Sequence, residues 1–446
     1  MPEYSTRMRG ARLSRGVDRV LSLQLNSENF LSFEFLAFIA MKLLSDFGIF
    51  PAAAYYIFDI LNIILILLSL GKVFSQRNLG RYLLFPVVAL ALLCFTSAIV
   101  GVVNPECAIW ELLVDFRIFG VLVLICVYWD YAYWKRFINL LFRLQWVNAL
   151  LAAVEFYGLG LIQDNIGGMF GIAVGCNGSL NLYLCFVCAY GISQYVSSGR
   201  DGSVSLLALS TTCICSIAIA AIAEIKFFYF ELALISLLLV VFNRPTRRTF
   251  TIVAAICIAF FIGMYILSII MPSEYALMTN IDAIMAEADN SNLSTGYGVS
   301  RIHAIAQLDA MFFHGDSLLF AFGMGFGSAT PGMASGLFVS RFYSAYGILR
   351  YDYLQIPTLF LQVGMIGVAA YLVAIFSPAI QGYRDRKQFG TERKWVLSLA
   401  LTFAMLFFVN CFYMATMRTQ FTFLWALMLV APYLAYGKSD SVKVGR

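Results

Sequence analysis

Residues 52–71 read AAAYYIFDILNIILILLSLG, a run in which Asp59 is the only charged side chain. A helix of about 20 apolar residues is long enough to cross the hydrocarbon core of a bilayer. Similar runs recur along the 446-residue chain, which is 61% apolar and 12% charged, with a mean hydropathy of +0.82. Soluble globular proteins carry about 45–50% apolar and about 25% charged residues. The composition therefore excludes an ordinary soluble enzyme and predicts a helical membrane protein with many spans.

The apolar runs predict an all-α polytopic membrane protein with about 12 transmembrane helices. The predicted spans are 30–50, 52–71, 82–103, 112–129, 137–161, 180–197, 204–223, 227–242, 250–271, 354–376, 395–414 and 419–436. Glu34, Lys42 and Asp46 interrupt the first span, and polar groups inside a span normally face a cavity or a neighbouring helix. No internal repeat suggests the paired halves of a secondary transporter.

The distribution of Lys and Arg predicts the orientation of these spans, because cytoplasmic segments are enriched in basic residues. With the Arg-rich N-terminus inside, the inner segments contain 22 of the 30 basic residues, and the outer loop 104–116 is acidic. Both termini are therefore expected to be cytoplasmic. The predicted divisions are a basic N-terminus (1–29), nine helices (30–271), a large outer loop (272–353), three helices (354–436) and a tail (437–446).

The outer loop 272–353 is far longer than the others, and long loops of this kind are usually functional. We expect it to be partly helical. An acidic stretch has helical spacing around 281–285, and an amphipathic helix is predicted to begin near Ser300 because apolar residues recur every three to four positions: Ile302, Ile305, Leu308 and Phe312. The glycine-rich stretch 323–327 predicts a tight turn or a close backbone approach to a ligand.

Six basic residues lie on the outer side, where the topology rule disfavours them. They are Arg117, Lys226, Arg301, Arg341, Arg350 and Arg418. Their grouping predicts an anionic partner on this face. Single salt bridges are the alternative, such as Arg117 with Asp115 or Lys226 with Glu224. Nucleic acid is not an expected partner, because no basic face with interleaved aromatic residues occurs on a soluble module.

Arg301 is the most informative of these cations. Ser300 is a good helix N-cap, which places Arg301 in the first turn of the predicted helix. A cation there opposes the helix dipole. The position is explained if an anion binds there, since free backbone N–H groups and a bidentate guanidinium both suit a phosphate. An exposed arginine at a small energetic cost is the alternative.

The candidate general bases lie in the same loop. The only two histidines are His303 and His314, and histidine is a common base near neutral pH. Asp352, at the membrane edge, is a competing base, and Tyr351 and Glu224 are weaker candidates. These residues do not form a set of metal ligands, and we expect no metal and no cofactor.

Most of the ten cysteines lie in apolar runs, where a free cysteine behaves as a small hydrophobic residue. Cys185 and Cys188 have CxxC spacing but no histidine nearby, so packing is favoured over metal binding. Cys107 and Cys176 fall in predicted outer loops, and a disulfide between them is the less favoured alternative to two free thiols.

The order of motifs in the outer loop resembles the O-antigen polymerase/ligase family. The matching elements are Ser300-Arg301, the stretch from Leu318 to Ser328, Asp352-Tyr-Leu-Gln355 and Gly364-Met-Ile-Gly367. Gly168-Met-Phe-Gly171 with Asn177, and Glu224-Ile-Lys226, resemble the family further upstream. The resemblance covers roughly residues 160–376. Many family members carry a histidine before the Asp/Asn-x-Tyr-Leu segment, whereas this chain has Arg350-Tyr351.

The resemblance implies a GT-C-like, metal-independent glycosyltransferase of the bacterial inner membrane. Such an enzyme transfers a glycan from an undecaprenyl-diphosphate donor at the periplasmic face. The acceptor is a lipid-linked repeat unit for a polymerase, which we favour, or the lipid A core for a ligase. Arg301, Lys226, Arg341, Arg350 and Arg117 would bind the diphosphate, and Asp352 or His303 would act at the reacting atoms with Arg301.

The resemblance further implies membrane lipid and a chain-length regulator protein as partners. The rival function from another class is a transporter or flippase for lipid-linked sugars. Such a protein is expected to show pseudo-repeats and charged residues deep in several spans. A membrane scaffold is a third alternative, but it gives no reason for the outer cations.

Overall fold

The computed structural model describes residues 27–51, 54, 56–197, 204–243, 247–270, 272–280, 282, 298–333, 336–387 and 393–437. The basic N-terminus up to residue 26, most of the acidic stretch around 281–285 and the tail from residue 438 lie outside these ranges. The predicted domain division at these points is not addressed by the described part of the chain.

Every regular element in the described ranges is helical. The main helices are α1 (Ser27–Asp46), α2 (Tyr56–Ser75), α3 (Phe85–Val100), α4 (Pro105–Asp115), α5 (Arg117–Tyr128), α6 (Tyr131–Gly158), α7 (Asn177–Ser197), α8 (Leu206–Ile222), α9 (Lys226–Phe242), α10 (Arg247–Ile270), α11 (Pro272–Thr279), α12 (Ala304–Phe313), α13 (Ser317–Phe322), α14 (Arg341–Tyr346), α15 (Gln355–Arg384), α16 (Lys394–Tyr413) and α17 (Phe423–Leu429). Several of them are joined or extended by short 3₁₀ or π turns, for example Gly80–Leu84 before α3.

Five of the described helical segments are long and apolar enough to cross a membrane. They are Tyr56–Ser75, Tyr82–Val100, Tyr131–Gly158, Gln355–Arg384 and Lys394–Tyr413. The prediction of an all-α membrane protein is confirmed to this extent. A helix overlaps each of the twelve predicted spans, but α17 has only seven residues and several others are shorter than a full span.

Segments that the sequence assigns to one side of the membrane contact one another. Outer segments meet where Asp46 accepts from the Ile172 backbone at 2.9 Å and Cys107 donates to the Phe338 carbonyl at 3.3 Å. We call this region, with residues 104–116, 298–333, 336–353 and 414–422, the loop end of the bundle. Inner segments meet elsewhere, through the pairs Tyr82–Asp385, Tyr433–Gln76, Arg248–Tyr195 and Arg393–Tyr131.

The glycine-rich stretch packs against other backbones. A Cβ on Gly323 would lie 2.5 Å from the backbone of Gln362, and one on Gly327 would lie 2.7 Å from the backbone of Ala108. Gly325 similarly approaches Gly101. The predicted close approach is therefore to neighbouring protein backbone, and the three glycines join α3, α4 and α15.

Helix α15 is interrupted beside this stretch. Gly364 has φ 63°, ψ −171° within the helix, and the backbone N–H groups of Met324 and Gly325 donate to the carbonyls of Leu361 and Gln362 at 2.8 and 2.9 Å. Carbonyls that a regular helix would use internally are thus taken up by the glycine-rich stretch, as buried backbone groups require.

Residues 414–422, between α16 and α17, also depart from regular helix. They form two short 3₁₀ turns, Thr416–Arg418 and Gln420–Thr422, and Thr416, Met417, Phe421 and Thr422 are buried. Irregular backbone at membrane depth is tolerated only where it is buried in protein or lines a cavity. This connection brings polar side chains into the loop end of the bundle.

Candidate functional site

Arg418 lies at the centre of a buried polar cluster. Its guanidinium lies 2.8 Å from the Glu111 carboxylate and 3.3 Å from that of Asp115, and only 8% of its side chain is exposed. Glu111 also accepts from the Gln362 amide at 2.5 Å, and Asp115 from the Gln355 amide at 3.3 Å. Arg418 is therefore paired with two carboxylates of α4.

Arg117 forms a second buried ion pair. Its Nε and Nη2 donate to the two oxygens of Asp59 at 2.7 and 2.8 Å, and its Nη1 donates to the backbone carbonyl of Arg418. The sequence suggested Asp115 as its salt-bridge partner, but the structure pairs it with Asp59 instead. Each of the three guanidinium nitrogens donates a hydrogen bond within the protein, so the prediction that Arg117 binds diphosphate does not fit this geometry.

Arg301 lies in a turn that precedes a helix. The Ser300 hydroxyl accepts from the backbone N–H groups of Ile302 and His303 at 3.2 and 3.1 Å, and α12 begins at Ala304. The prediction that Ser300 caps a helix whose first turn contains Arg301 is therefore wrong by one turn. Ser300 instead stabilises the turn formed by residues 301–303, which precedes the helix.

The Arg301 guanidinium lies over an aromatic ring. It is 4.2 Å from the ring centroid of Tyr413, and Phe227 stacks on the same ring with centroids 3.7 Å apart and an angle of 9° between the planes. Lys226 precedes Phe227 and is the first residue of α9. The last residue of α16 therefore contacts the Arg301 guanidinium and also Phe227, the residue that follows Lys226.

Asp352 lies in the short 3₁₀ turn before α15. Its Oδ2 accepts from the Tyr343 hydroxyl at 3.4 Å, while Oδ1 is buried without a hydrogen-bond partner. Burial raises the pKa of Asp352 above the ordinary value for aspartate, against the opposing effect of Arg418. Burial and the Asp352 carboxylate raise the pKa of Tyr343 to about 12, so this hydroxyl keeps its proton.

One backbone contact connects the Arg301 and Asp352 segments. The Val299 N–H donates to the Leu349 carbonyl at 3.0 Å, two residues before Arg301 and three before Asp352. Arg350, between them, has φ 51° and lies 5.8 Å from the ring centroid of Tyr353. A base candidate and two cations therefore occupy adjacent segments at the loop end.

The other predicted residues lie in less suitable places. Tyr351 is fully buried and donates to the Ala329 carbonyl at 3.1 Å, and burial raises its pKa, so it does not fit a base. Arg341 is exposed at the start of the six-residue α14. His303 and His314 are exposed at the two ends of α12, and Glu224 precedes α9 with φ 51°.

The sequence reasoning missed the partners of Arg418. The sequence predicts Glu111 and Asp115 as part of an acidic outer loop, with Asp115 as a possible partner of Arg117, although their spacing of four residues puts both on one face of a helix. Gln355 and Gln362 lie in an apolar run with spacing of seven residues, which also marks one helix face. Lys42, left without an assigned role, forms an ion pair with Asp46 one turn later.

The described residues contain no group of three or more His, Cys, Asp or Glu side chains that could hold a metal ion. Cys107 and Cys176 are free thiols, so the disulfide alternative is wrong. Cys107, in α4, donates to the Phe338 carbonyl, and Cys176 donates to the Asp164 carbonyl, so the two thiols contact different segments.

The geometry described so far has the features of an anion site with an adjacent carboxylate at one end of a helical bundle. No protein-family model matches the chain, and no curated protein sequence matches it either.

Proposed function

We propose that this protein is a cell-surface polysaccharide polymerase of the bacterial inner membrane. It transfers a glycan from an undecaprenyl-diphosphate donor to a lipid-linked repeat unit. The observation that carries the proposal is the position of the Arg301 guanidinium over Tyr413, whose ring also stacks on the neighbour of Lys226. The adjacent segment contains Asp352, a half-buried carboxylate with one buried, unpaired oxygen. Resemblance to the O-antigen polymerase/ligase family supports the same function.

The chemistry assigns a role to each group. The acceptor hydroxyl attacks the anomeric carbon, the bond to the diphosphate oxygen breaks, and the leaving group acquires negative charge. Arg301 and Lys226, with Arg350 nearby, stabilise that charge, as preorganised cations do at developing anions. Asp352 accepts the proton of the acceptor hydroxyl as general base. This scheme uses no metal.

The proposal includes a GT-C-like bundle of about twelve spans with both termini in the cytoplasm and the loop end in the periplasm. It is supported by the meeting of the predicted outer segments with each other and of the inner segments with each other. The lipid-linked donor would then reach Arg301 and Lys226 from the membrane. A chain-length regulator protein is proposed as a further partner.

One observation favours a second candidate function. The ion pairs Arg117–Asp59 and Arg418–Glu111 are buried in the bundle, and charged groups inside membrane bundles often mark transport pathways. A flippase for lipid-linked sugars is therefore the rival. A ligase that transfers the glycan to the lipid A core is the alternative within the enzyme class.

The experiment that tests the proposal uses purified protein in lipid nanodiscs with an undecaprenyl-diphosphate-linked oligosaccharide and EDTA. We expect longer glycans and released undecaprenyl diphosphate. Elongation only when lipid A core is added would identify a ligase. An unchanged donor that is bound by the protein would refute glycosyl transfer, and donor translocation in proteoliposomes would then support the flippase.

The matched control for the site is Arg386, whose guanidinium lies 4.2 Å from the ring centroid of Tyr383 among the inner segments. Arg386→Ala removes the same kind of contact as Arg301→Ala. We expect at least a hundredfold loss of elongation for Arg301→Ala and wild-type elongation for Arg386→Ala. Equal activity of the two variants would show that the site is assigned wrongly.

A further inference from the structure

A small cavity lies among α1, α2, α5 and the connection that precedes α17. About 20 Å³ of it is open to the centre of a water-sized sphere, which is room for about one water molecule. Its polar lining consists of Glu34, Asp59, Asn62, Arg117 and Gln420. Phenylalanine rings complete the wall, among them Phe35, Phe38 and Phe58.

The cavity contains a carboxyl group without a paired cation. Glu34 is 2% exposed, neither of its carboxyl oxygens makes a hydrogen bond of normal geometry, and the Asn62 side chain lies beside it. The side-chain oxygen of Asn62 is also buried without a partner. Asp59 supplies no hydrogen-bond donor to Glu34. Both Asp59 oxygens already accept from Arg117, and Oδ2 also accepts from the Gln420 amide at 3.3 Å.

The charges of the residues that line the cavity also disfavour an ionised Glu34. Glu34, Asp59 and Arg117 are the titratable groups that line the cavity, and with Glu34 ionised they would carry one net negative charge. A buried carboxylate without hydrogen bonds or a paired cation is strongly unfavourable, and such a group is normally neutralised by a proton. The single cation present is bound bidentately to the other carboxylate.

We propose that Glu34 is a proton-binding site in the membrane bundle: its carboxyl group is protonated in the folded protein and shares the cavity with one water molecule. The added O–H supplies a donor beside the buried side-chain oxygen of Asn62, which lacks one. This inference does not depend on the proposed glycosyl transfer, because it needs no substrate.

The site is connected to the candidate functional site through Arg117. The Arg117 guanidinium faces the cavity, binds Asp59 and donates to the carbonyl of Arg418. Loss of the Glu34 proton would place a second carboxylate beside that guanidinium, in competition with its present acceptors. Ionised Glu34 would therefore weaken the link between Arg117 and the 414–422 connection.

The test uses purified full-length protein in detergent and infrared difference spectra between wild type and Glu34→Gln. We expect a protonated-carboxyl C=O band at neutral pH in wild type that Glu34→Gln lacks and that disappears as the pH is raised. The wild-type unfolding temperature should fall as the pH rises from the range in which a free glutamate ionises to the range in which the band disappears, and then level off, because in that interval only the unfolded chain has released this proton. The Glu34→Gln variant, which stays neutral, should lack this component.

Glu231→Gln is the matched control, because Glu231 is equally buried but accepts from the amides of Asn181 and Asn410. It should keep the Glu34 band and the pH-dependent fall in unfolding temperature. Identical spectra for wild type and Glu34→Gln would overturn the proposal. A saturable stabilisation of wild type by NaCl over choline chloride, lost in Glu34→Gln, would overturn it in favour of a metal cation.

Discussion

Arg418 and Glu111 form an ion pair at 2.8 Å although 307 residues separate them in the chain. The Glu111 side chain is fully buried and that of Arg418 is 8% exposed. Glu111 also binds Gln362, whose Oε1 accepts from the Gly327 N–H at 3.0 Å. The pair therefore fixes α4, the glycine-rich stretch, α15 and the 414–422 connection relative to one another.

Removing one partner of this pair should destabilise the protein strongly. Arg418→Met leaves Glu111 and Asp115 buried without their cation, and breaking a buried pair in this way costs about 3–5 kcal/mol. Thermal unfolding of the purified variant, followed by tryptophan fluorescence, measures the effect. The double variant Glu111→Gln/Arg418→Met should recover part of the loss, because Asp115 is then the one carboxylate of the two that still lacks its cation. A double variant less stable than Arg418→Met alone would contradict the argument.

Tyr413 should act by positioning Arg301. Tyr413→Phe keeps both the stacked Phe227 and the ring beneath the guanidinium, so we expect elongation within about threefold of wild type. Tyr413→Leu removes the ring face and should lower elongation at least tenfold. Initial rates over a range of donor concentrations provide the measurement. If Tyr413→Leu elongates glycan at the wild-type rate, the ring does not position Arg301.

Asp352 should set the acidic limb of the activity profile. A general base works in its ionised form, so elongation should rise with pH as Asp352 loses its proton. Because burial raises the pKa of Asp352, this rise should occur at higher pH than for an aspartate in water. Elongation rates from pH 4 to 8 test it, and Asp352→Asn should reduce the rate at least a hundredfold throughout.

Tyr343→Phe provides the matched change for that prediction. It removes the hydroxyl that donates to Asp352 at 3.4 Å without removing the base. The acidic limb should move to still higher pH, because a hydrogen bond to the carboxylate favours its ionised form. A limb that moves to lower pH, or an Asp352→Asn variant with normal activity, would eliminate Asp352 as the base.

The helical class was accessible from sequence, because hydropathy is a local property, and the cations predicted to lie on the outer side could be named from the same pattern. The engagement of those cations was not. The sequence predicts the same anion-binding role for Arg117 and Arg301, yet Asp59 neutralises Arg117 whereas Arg301 lies over Tyr413. Which carboxylate or ring a cation meets depends on packing between distant helices. Single-residue patterns contain no information on such a contact.

The two polar networks were missed for a related reason. Glu34 was visible only as an interruption of a span, and Glu111 only as part of an acidic loop. Their burial depends on α1, α2, α4 and the 414–422 connection together. The glycine-rich stretch predicts a close approach, but which backbone lies next to it depends on tertiary packing.

Gly364 should be intolerant of any side chain. Its φ of 63° is strained for other residues, and a Cβ there would lie 2.3 Å from the backbone of Ala321. We expect Gly364→Ala to lower the unfolding temperature markedly and to abolish elongation, because the carbonyls of Leu361 and Gln362 would lose their partners in the glycine-rich stretch. Gly71→Ala, in the interior of α2 with nothing within 4 Å of its Cβ, is the control and should be neutral or stabilising by up to about 1 kcal/mol. Equal unfolding temperatures for the two variants would show that the interruption of α15 is not required for the packing of the loop end.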